Sequence, residues 1–431
     1  MLKLSTLLVA SASALAAQQA PAVRLINAAD ASSKQVLGNV AAVRQLPTGR
    51  LLVNDVGKRQ LMLFDPTLSN ASIVADSVAG GANSYGPSAG GIISYIGDST
   101  LFIDPRDLSM FVLDPNGAIA RVAAVPRSQD AGTLGSNMLG SPALDSKGRI
   151  VYRGGLGRIM KPAGPGGGLP VPDFPDSSAI VRIDLASRKL DTAAFYKIPK
   201  VKMNIVQSDK GMTMTSEINP MQIVDDWAVI ADGSIAIVRG QDYHIDWVNA
   251  DGSTTTSSKL SFDWQRLSDE DKVAVIDSAK ASSERAAASR ATGLAAGMAA
   301  AGGGGGAAGD GMVVMSFRSG GDAGGGRGAV GGGPTASPMT FVSPSELPDY
   351  RPVFTQGATR ADLDGNLWIR TSATRNGAIA GPIYDVVNRK GEVTDRIQVP
   401  SGRTIVGFAK GGIVYMMARD DKGAWLERTH R

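Results

Sequence analysis

The chain of 431 residues contains no cysteine. That excludes disulfides, zinc–thiolate sites, thiol nucleophiles and a lipid anchor on an N-terminal Cys. Packing alone must hold the molecule together. Histidine is almost as scarce, with only His244 and His430. A zinc site built on several His has no material here, and neither does a Ser-His-Asp triad; no Gly-x-Ser-x-Gly elbow occurs either. Charge is nearly balanced, 44 Lys and Arg against 40 Asp and Glu. No basic run or basic stripe with interleaved aromatics appears, so a nucleic-acid partner is not expected. Beyond the first residues no apolar run is long enough to span a bilayer.

The N-terminus reads MLKLSTLLVASASALAAQQAPA. Lys3 gives a short positive region, residues 4–15 an apolar stretch of signal-peptide length, and Ala14-Leu15-Ala16 a small-x-small cleavage site. Residues 1–17 are therefore expected to be a signal peptide, and the mature chain, 18–431, to be exported to the periplasm or the exterior.

What is present is a repeat. An apolar strand, a tight Gly/Asp turn and a second apolar strand recur six times. The copies are AAVRQLPTGRLLVND from Ala41, ISYIGDSTLFID from Ile93, SPALDSKGRIVYRGG from Ser141, DDWAVIADGSIAIVRG from Asp225, RADLDGNLWIRT from Arg360 and IVGFAKGGIVYMMARD from Ile405. Further strands follow most copies, as LMLFDP and ASIVADSV do after the first, giving four antiparallel strands per unit. Several outer strands end in Pro, at Pro126, Pro199 and Pro400, which suits an edge that donates no hydrogen bond. The pattern predicts an all-β, six-bladed β-propeller. The last repeat is one strand short. The segment 23–40, with strand-capable VRLI and KQVLG, is expected to supply it and close the ring.

Residues 268–333 break the pattern. SDEDKVAVIDSAKASSERAAASR has helix formers, a Ser268–Asp271 capping box and Val273, Ile276 and Ala279 at helical spacing. The glycine-rich run after it reads as a flexible linker. The glycines follow the helix and carry no Lys-Ser/Thr, so they are not a phosphate loop.

The quoted repeats, RLLVNDVGKRQLMLFDP above all, resemble the six-bladed propellers of the NHL and TolB-like superfamily. The chain is also similar to exported bacterial propellers with a comparable helix after the fourth blade, here at Trp264 to Lys272. The resemblance covers nearly all of the mature chain except the glycine-rich insertion. It implies the fold. It leaves activity open, because the superfamily holds lactonases, lyases, sugar dehydrogenases and pure binding modules.

The candidate chemistry is a set of charges at repeat-equivalent places. Second strands end at Asp55, Asp104, Arg153, Arg239 and Arg370. Arg44 and Arg360 each stand five residues before a turn Gly. Equivalent positions lie at similar height around a propeller axis, so these charges are expected to ring the channel mouth, where Arg can meet a carboxylate or phosphate in a bidentate fork. Asp242 and His244 belong to RGQDYHIDWV, the densest polar–aromatic cluster, which serves either a ligand pocket or a network fixing the hairpin. Ca²⁺ held by carboxylates from several blades is the one cofactor considered, against inter-blade salt bridges; no matching constellation of acidic and Asn side chains is seen. The reading is a monomeric, non-catalytic binder of a small molecule, glycan or protein through loops at the channel mouth. The alternatives are a metal-assisted hydrolase of lactonase type and a structural accessory of an envelope complex.

Overall fold

A computed structural model describes residues 20–78, 81, 83–86, 90–137, 140–155, 159–161, 171–173, 175–200, 202–208, 211–299, 339–373, 380–421 and 423–431. The signal-like segment and the glycine-rich run lie outside these residues. Six antiparallel sheets follow one another along the chain. Blade one is Val40–Gln45, Leu51–Asp55, Gln60–Phe64 and Ala71–Asp76. Blade two is Gly91–Ser94, Thr100–Asp104, Ser109–Leu113 and Ile119–Ala124. Blade three is Ala143–Leu144, Ile150–Arg153, Ser177–Ile183 and Leu190–Lys197. Blade four is Asp226–Val229, Ile235–Arg239, His244–Val248 and Thr254–Thr256. Blade five is Thr359–Ala361, Leu367–Thr371, Ile383–Val387 and Val393–Gln398. Blade six is Arg403–Ala409, Ile413–Asp420 and Gly423–His430. The chain is a six-bladed β-propeller.

The fourth strand of blade six is Ala31–Ser32, antiparallel to Glu427 and Arg428. The VRLI segment goes elsewhere: Val23–Leu25 adds a fifth, parallel strand to the outer edge of blade five. Of KQVLG, Leu37 makes a bridge to Ala424. Asp30 carries the same tie in its side chain, accepting from Arg428 Nε at 2.7 Å and lying 2.8 Å from His430 Nδ1.

Alternation along each strand gives a blade two apolar faces, and each face meets a neighbour. Six buried clusters result. Leu52, Leu61 and Leu63 of blade one meet Phe102 and Phe111 of blade two. Val151 and Ile180 of blade three meet Trp227 and Ile237 of blade four. Trp368 and Tyr384 of blade five meet Ile405 and Phe408 of blade six. Val406 and Tyr415 of blade six meet Val43 and Val53 of blade one, which closes the ring.

The recurring Asp of the turns is a backbone clamp. Asp145 accepts from Lys147 N and Arg149 N, and Asp362 from Asp364 N and Asn366 N, at 2.8–3.0 Å. One carboxylate thereby fixes a four-residue turn. Gly233 takes φ +82° in such a turn, where a Cβ would lie 2.1 Å from Ser146 N. The second hairpins repeat with equal fidelity: Arg59, Leu108 and Tyr243 all adopt left-handed φ of 51–56° at the same place in blades one, two and four.

Besides the hairpin of Ile159–Lys161 and Val171–Asp173 within blade three, two insertions leave the ring. Lys202–Ser208, Gly211–Ile218 and Met339–Phe341 form a three-stranded sheet. The helix Asp269–Ala299 starts on reciprocal bonds between Ser268 and Asp271. Ile276 packs with Met221, Leu267, Val342 and Leu347. Ala279 is buried too, but Val273 faces solvent.

Candidate functional site

Strand register decides which neighbour each candidate faces. Arg153 pairs with Ile180, and Arg239 with His244. Both arginines stand on the surfaces that blades three and four turn toward each other. In that seam lies an open cleft of about 270 Å³, lined by Asp176, Ser177, Phe195, Tyr196, Lys197, Asp225 and Arg239. Four of the nine expected residues, Arg153, Arg239, Asp242 and His244, gather in or beside it.

A chain of ion pairs stiffens one wall. Arg239 Nη1 donates to Asp225 Oδ2 at 2.8 Å and its Nε to Asp246 Oδ2 at 2.7 Å. The other Asp246 oxygen accepts from Thr256 Oγ1 at 2.7 Å. His244 Nδ1 lies 2.6 Å from Asp242 Oδ1, and its Nε2 3.5 Å from Asp246. Lys259 Nζ closes the chain on Asp242 at 3.3 Å. Burial opposes the charged form of Asp242, yet the His244 and Lys259 contacts hold it below the usual carboxylate range. Thr256 and Arg239 do the same for Asp246 against its own burial. Asp225 also accepts from Lys197 N at 2.9 Å and Gly240 N at 3.2 Å, so it ties the two blades through their backbones.

The remaining groups are open. Phe195 is 61% exposed on the outermost strand of blade three. Among the described residues the Lys197 ammonium and the Asp176 carboxylate have no ionic partner. Deeper in the seam, Arg153 Nη1 is shut from solvent without a hydrogen bond. Burial pushes the Arg153 guanidinium down, with the Tyr196 hydroxyl opposing. Burial pushes Tyr196 up to about 12.

The other five candidates lie elsewhere, on blades one, two and five. Asp55 accepts from the backbone of Gly38, Asn39 and Lys58 at 2.8–3.0 Å. Asp104 accepts from Gly86 N at 2.6 Å and Arg106 N at 3.0 Å. Both are fully buried turn anchors. Arg44 crosses to blade two, donating to the Ser99 carbonyl and Thr100 Oγ1 and, at 3.1 Å, to the Asp98 carbonyl. Burial pushes it down to about 10, Asp98 opposing. Arg360 and Arg370 share one face of blade five.

Sequence reasoning missed Phe195, Lys197, Asp176 and Asp225. The Asp225-Asp226 pair opening an inner strand was a legible signal. Phe195 was not, because TAAFYKIP does not reveal which side of an edge strand is left uncovered. Asp226 is fully buried. Its Oδ2 accepts from Thr359 N of blade five at 2.7 Å, while Oδ1 has no partner. Burial raises its pKa to about 6 against the backbone donors. Among the described residues no group of three His, Asp or Glu is gathered to hold a metal ion.

No protein-family model matches the chain, and no curated protein does. Among solved structures it is similar to a gluconolactonase from Xanthomonas campestris, 10% identical over 96% of this chain and 99% of that one, TM-score 0.38. It is similar to virginiamycin B lyase from Staphylococcus aureus, 9% identical over 92% and 98%, TM-score 0.37. A third is regucalcin, a calcium-binding protein from Agrobacterium tumefaciens, 10% identical over 95% and 98%, TM-score 0.34. At these scores the likenesses carry no functional argument.

Proposed function

We propose that the protein is a non-catalytic binding propeller whose ligand lies in the seam between blades three and four, and that the ligand is a small polar molecule of sugar size. The cleft of about 270 Å³ carries the reading. It has one exposed aromatic ring, Phe195, on which the C–H face of a sugar ring can rest. It has an ammonium, a carboxylate and a hydroxyl, at Lys197, Asp176 and Ser177, placed to pair with hydroxyl groups. Few convergent polar groups around an apolar surface are the ordinary make-up of a small-molecule site. The charged groups lining the cleft balance, Arg239 and Lys197 against Asp225 and Asp176, which suits a neutral ligand over a strongly charged one.

The rival reading, a metal-assisted hydrolase of lactonase type, lacks a gathered donor set among the described residues. For location we propose export, resting on Lys3, the apolar stretch 4–15 and the Ala14-Leu15-Ala16 site. Among the described residues no helix is long and apolar enough to cross a membrane.

The test is a panel of mono- and disaccharides followed by ligand-observed NMR, with Phe195→Ala and Lys197→Met beside the parent. Saturable binding of at least one sugar, weakened tenfold or more in both variants at unchanged melting temperature, is expected. A panel without a binder, or variants that bind like the parent, would overturn the assignment.

A further inference from the structure

Blade five holds a second, separate feature. Arg360 pairs across the strands with Trp368, so Arg370, two residues on, is its diagonal neighbour on the same sheet face. Such neighbours stand about 7–8 Å apart at the backbone, within joint reach of two long side chains. This face looks toward blade six, where Trp368 and Tyr384 pack on Ile405 and Phe408. Among the described residues neither guanidinium has a hydrogen-bond or ion-pair partner. The unpaired acceptors nearby are Asp226 Oδ1, on blade four, and Thr359 Oγ1, whose residue faces the other side of the strand, toward blade four.

Two like charges so placed repel. The Arg360 guanidinium is pulled down by burial first, with Arg370 adding to the effect; Tyr384 opposes it, as does Asp226, the carboxylate whose field reaches the site. Asp226 belongs to blade four and is already engaged by Thr359 N. It does not neutralise the pair. Two guanidiniums side by side match the fork geometry of an oxyanion.

We propose that Arg360 and Arg370 form a binding site for an oxyanion group, a carboxylate or a phosphate, on the side of blade five that faces blade six. The site is independent of the cleft between blades three and four. The anion accepts from both guanidiniums and offsets the repulsion between the two arginines.

The test is calorimetric titration of the full chain with inorganic phosphate and, separately, with citrate, at ionic strength held constant with chloride. At least one probe is expected to bind saturably and to raise the melting temperature above the chloride control. Phosphate binding points to a phosphate ligand, citrate alone to a carboxylate. Arg360→Gln and Arg370→Gln should each weaken binding tenfold or more, while Arg44→Gln leaves it unchanged. Without probe, Arg360→Gln should melt at or above the parent temperature, because it removes an uncompensated cation. The proposal falls if neither probe saturates, if the two variants bind like the parent, or if Arg360→Gln unfolds several degrees earlier.

Discussion

Arg44 and Arg360 occupy the same place in the repeat, five residues before a turn glycine on an innermost strand, and both face the next blade. Their fates differ. Arg44 finds two carbonyls and a hydroxyl in the first turn of blade two. Arg360 finds no such cradle in blade six. In blade two the turn spans residues 95–99, between paired Ser94 and Thr100. In blade six it spans only 410–412, between paired Ala409 and Ile413. The shorter turn presents its amides to Asp364, which accepts from Gly411 N and Gly412 N at 2.7–3.0 Å. The residue matching Thr100 is Ile413, which has no hydroxyl. Repeat position therefore sets where a side chain sits and which way it faces. The neighbouring blade decides whether it is a brace or a site.

The contrast breaks most visibly through Arg44. Replacing it with Met strips the charged donor from the Ser99 carbonyl and the buried Thr100 hydroxyl. Hydrogen bonds to charged groups are worth about 1.5–3 kcal/mol each, so a loss of about 3 kcal/mol is expected in urea unfolding. The matching Arg360→Met protein should lose nothing. Equal losses would make both arginines structural.

Asp226 sharpens the contrast through pH. Its folded pKa, raised to about 6 by burial, lies above the unfolded value. Its stabilising effect is thus fully present below the unfolded carboxylate pKa, near 4, and is lost as pH rises through about 6. Two pKa units set a ceiling of about 3 kcal/mol; about 2 kcal/mol is expected. Asp226→Asn keeps an acceptor for Thr359 N and removes the titration. Its stability should match the parent near pH 4 and exceed it by that amount at pH 7.5. A parent whose stability does not fall between these values, relative to the variant, would show Asp226 to be ionised at no cost.

The smallest effect belongs to Thr100→Val, which deletes one of Arg44's three acceptors and keeps the shape. About 1 kcal/mol of stability should go, seen as a small drop in the urea midpoint with unchanged slope. No change would mean that the two carbonyls alone suffice for Arg44.

The fold was legible because its determinants are local. Apolar alternation, the Asp clamp and the glycine turn each act within a few residues, and six copies averaged out the noise. The missing strand of blade six was legible as a deficit. That Val23–Leu25 would join blade five was not, since a three-residue parallel strand leaves no periodicity. The site was legible only in part. Asp55 and Asp104 look like mouth carboxylates in sequence, yet backbone amides from residues 38–39 and 86 consume them, a contact no local pattern announces. Arg239 looks like a free cation, but Asp225 and Asp246 take it. What separates a spent charge from an available one lies in the next blade, and sequence spacing does not encode it.

The most direct test of that distinction is an NMR titration of arginine-labelled protein, with the Nε–H resonances of Arg44, Arg360 and Arg370 assigned by substitution and citrate or phosphate added at constant ionic strength. The account predicts saturable, concerted shifts at Arg360 and Arg370 while Arg44 stays still. Shifts of equal size at Arg44 and Arg360, or none at the blade-five pair, would contradict it.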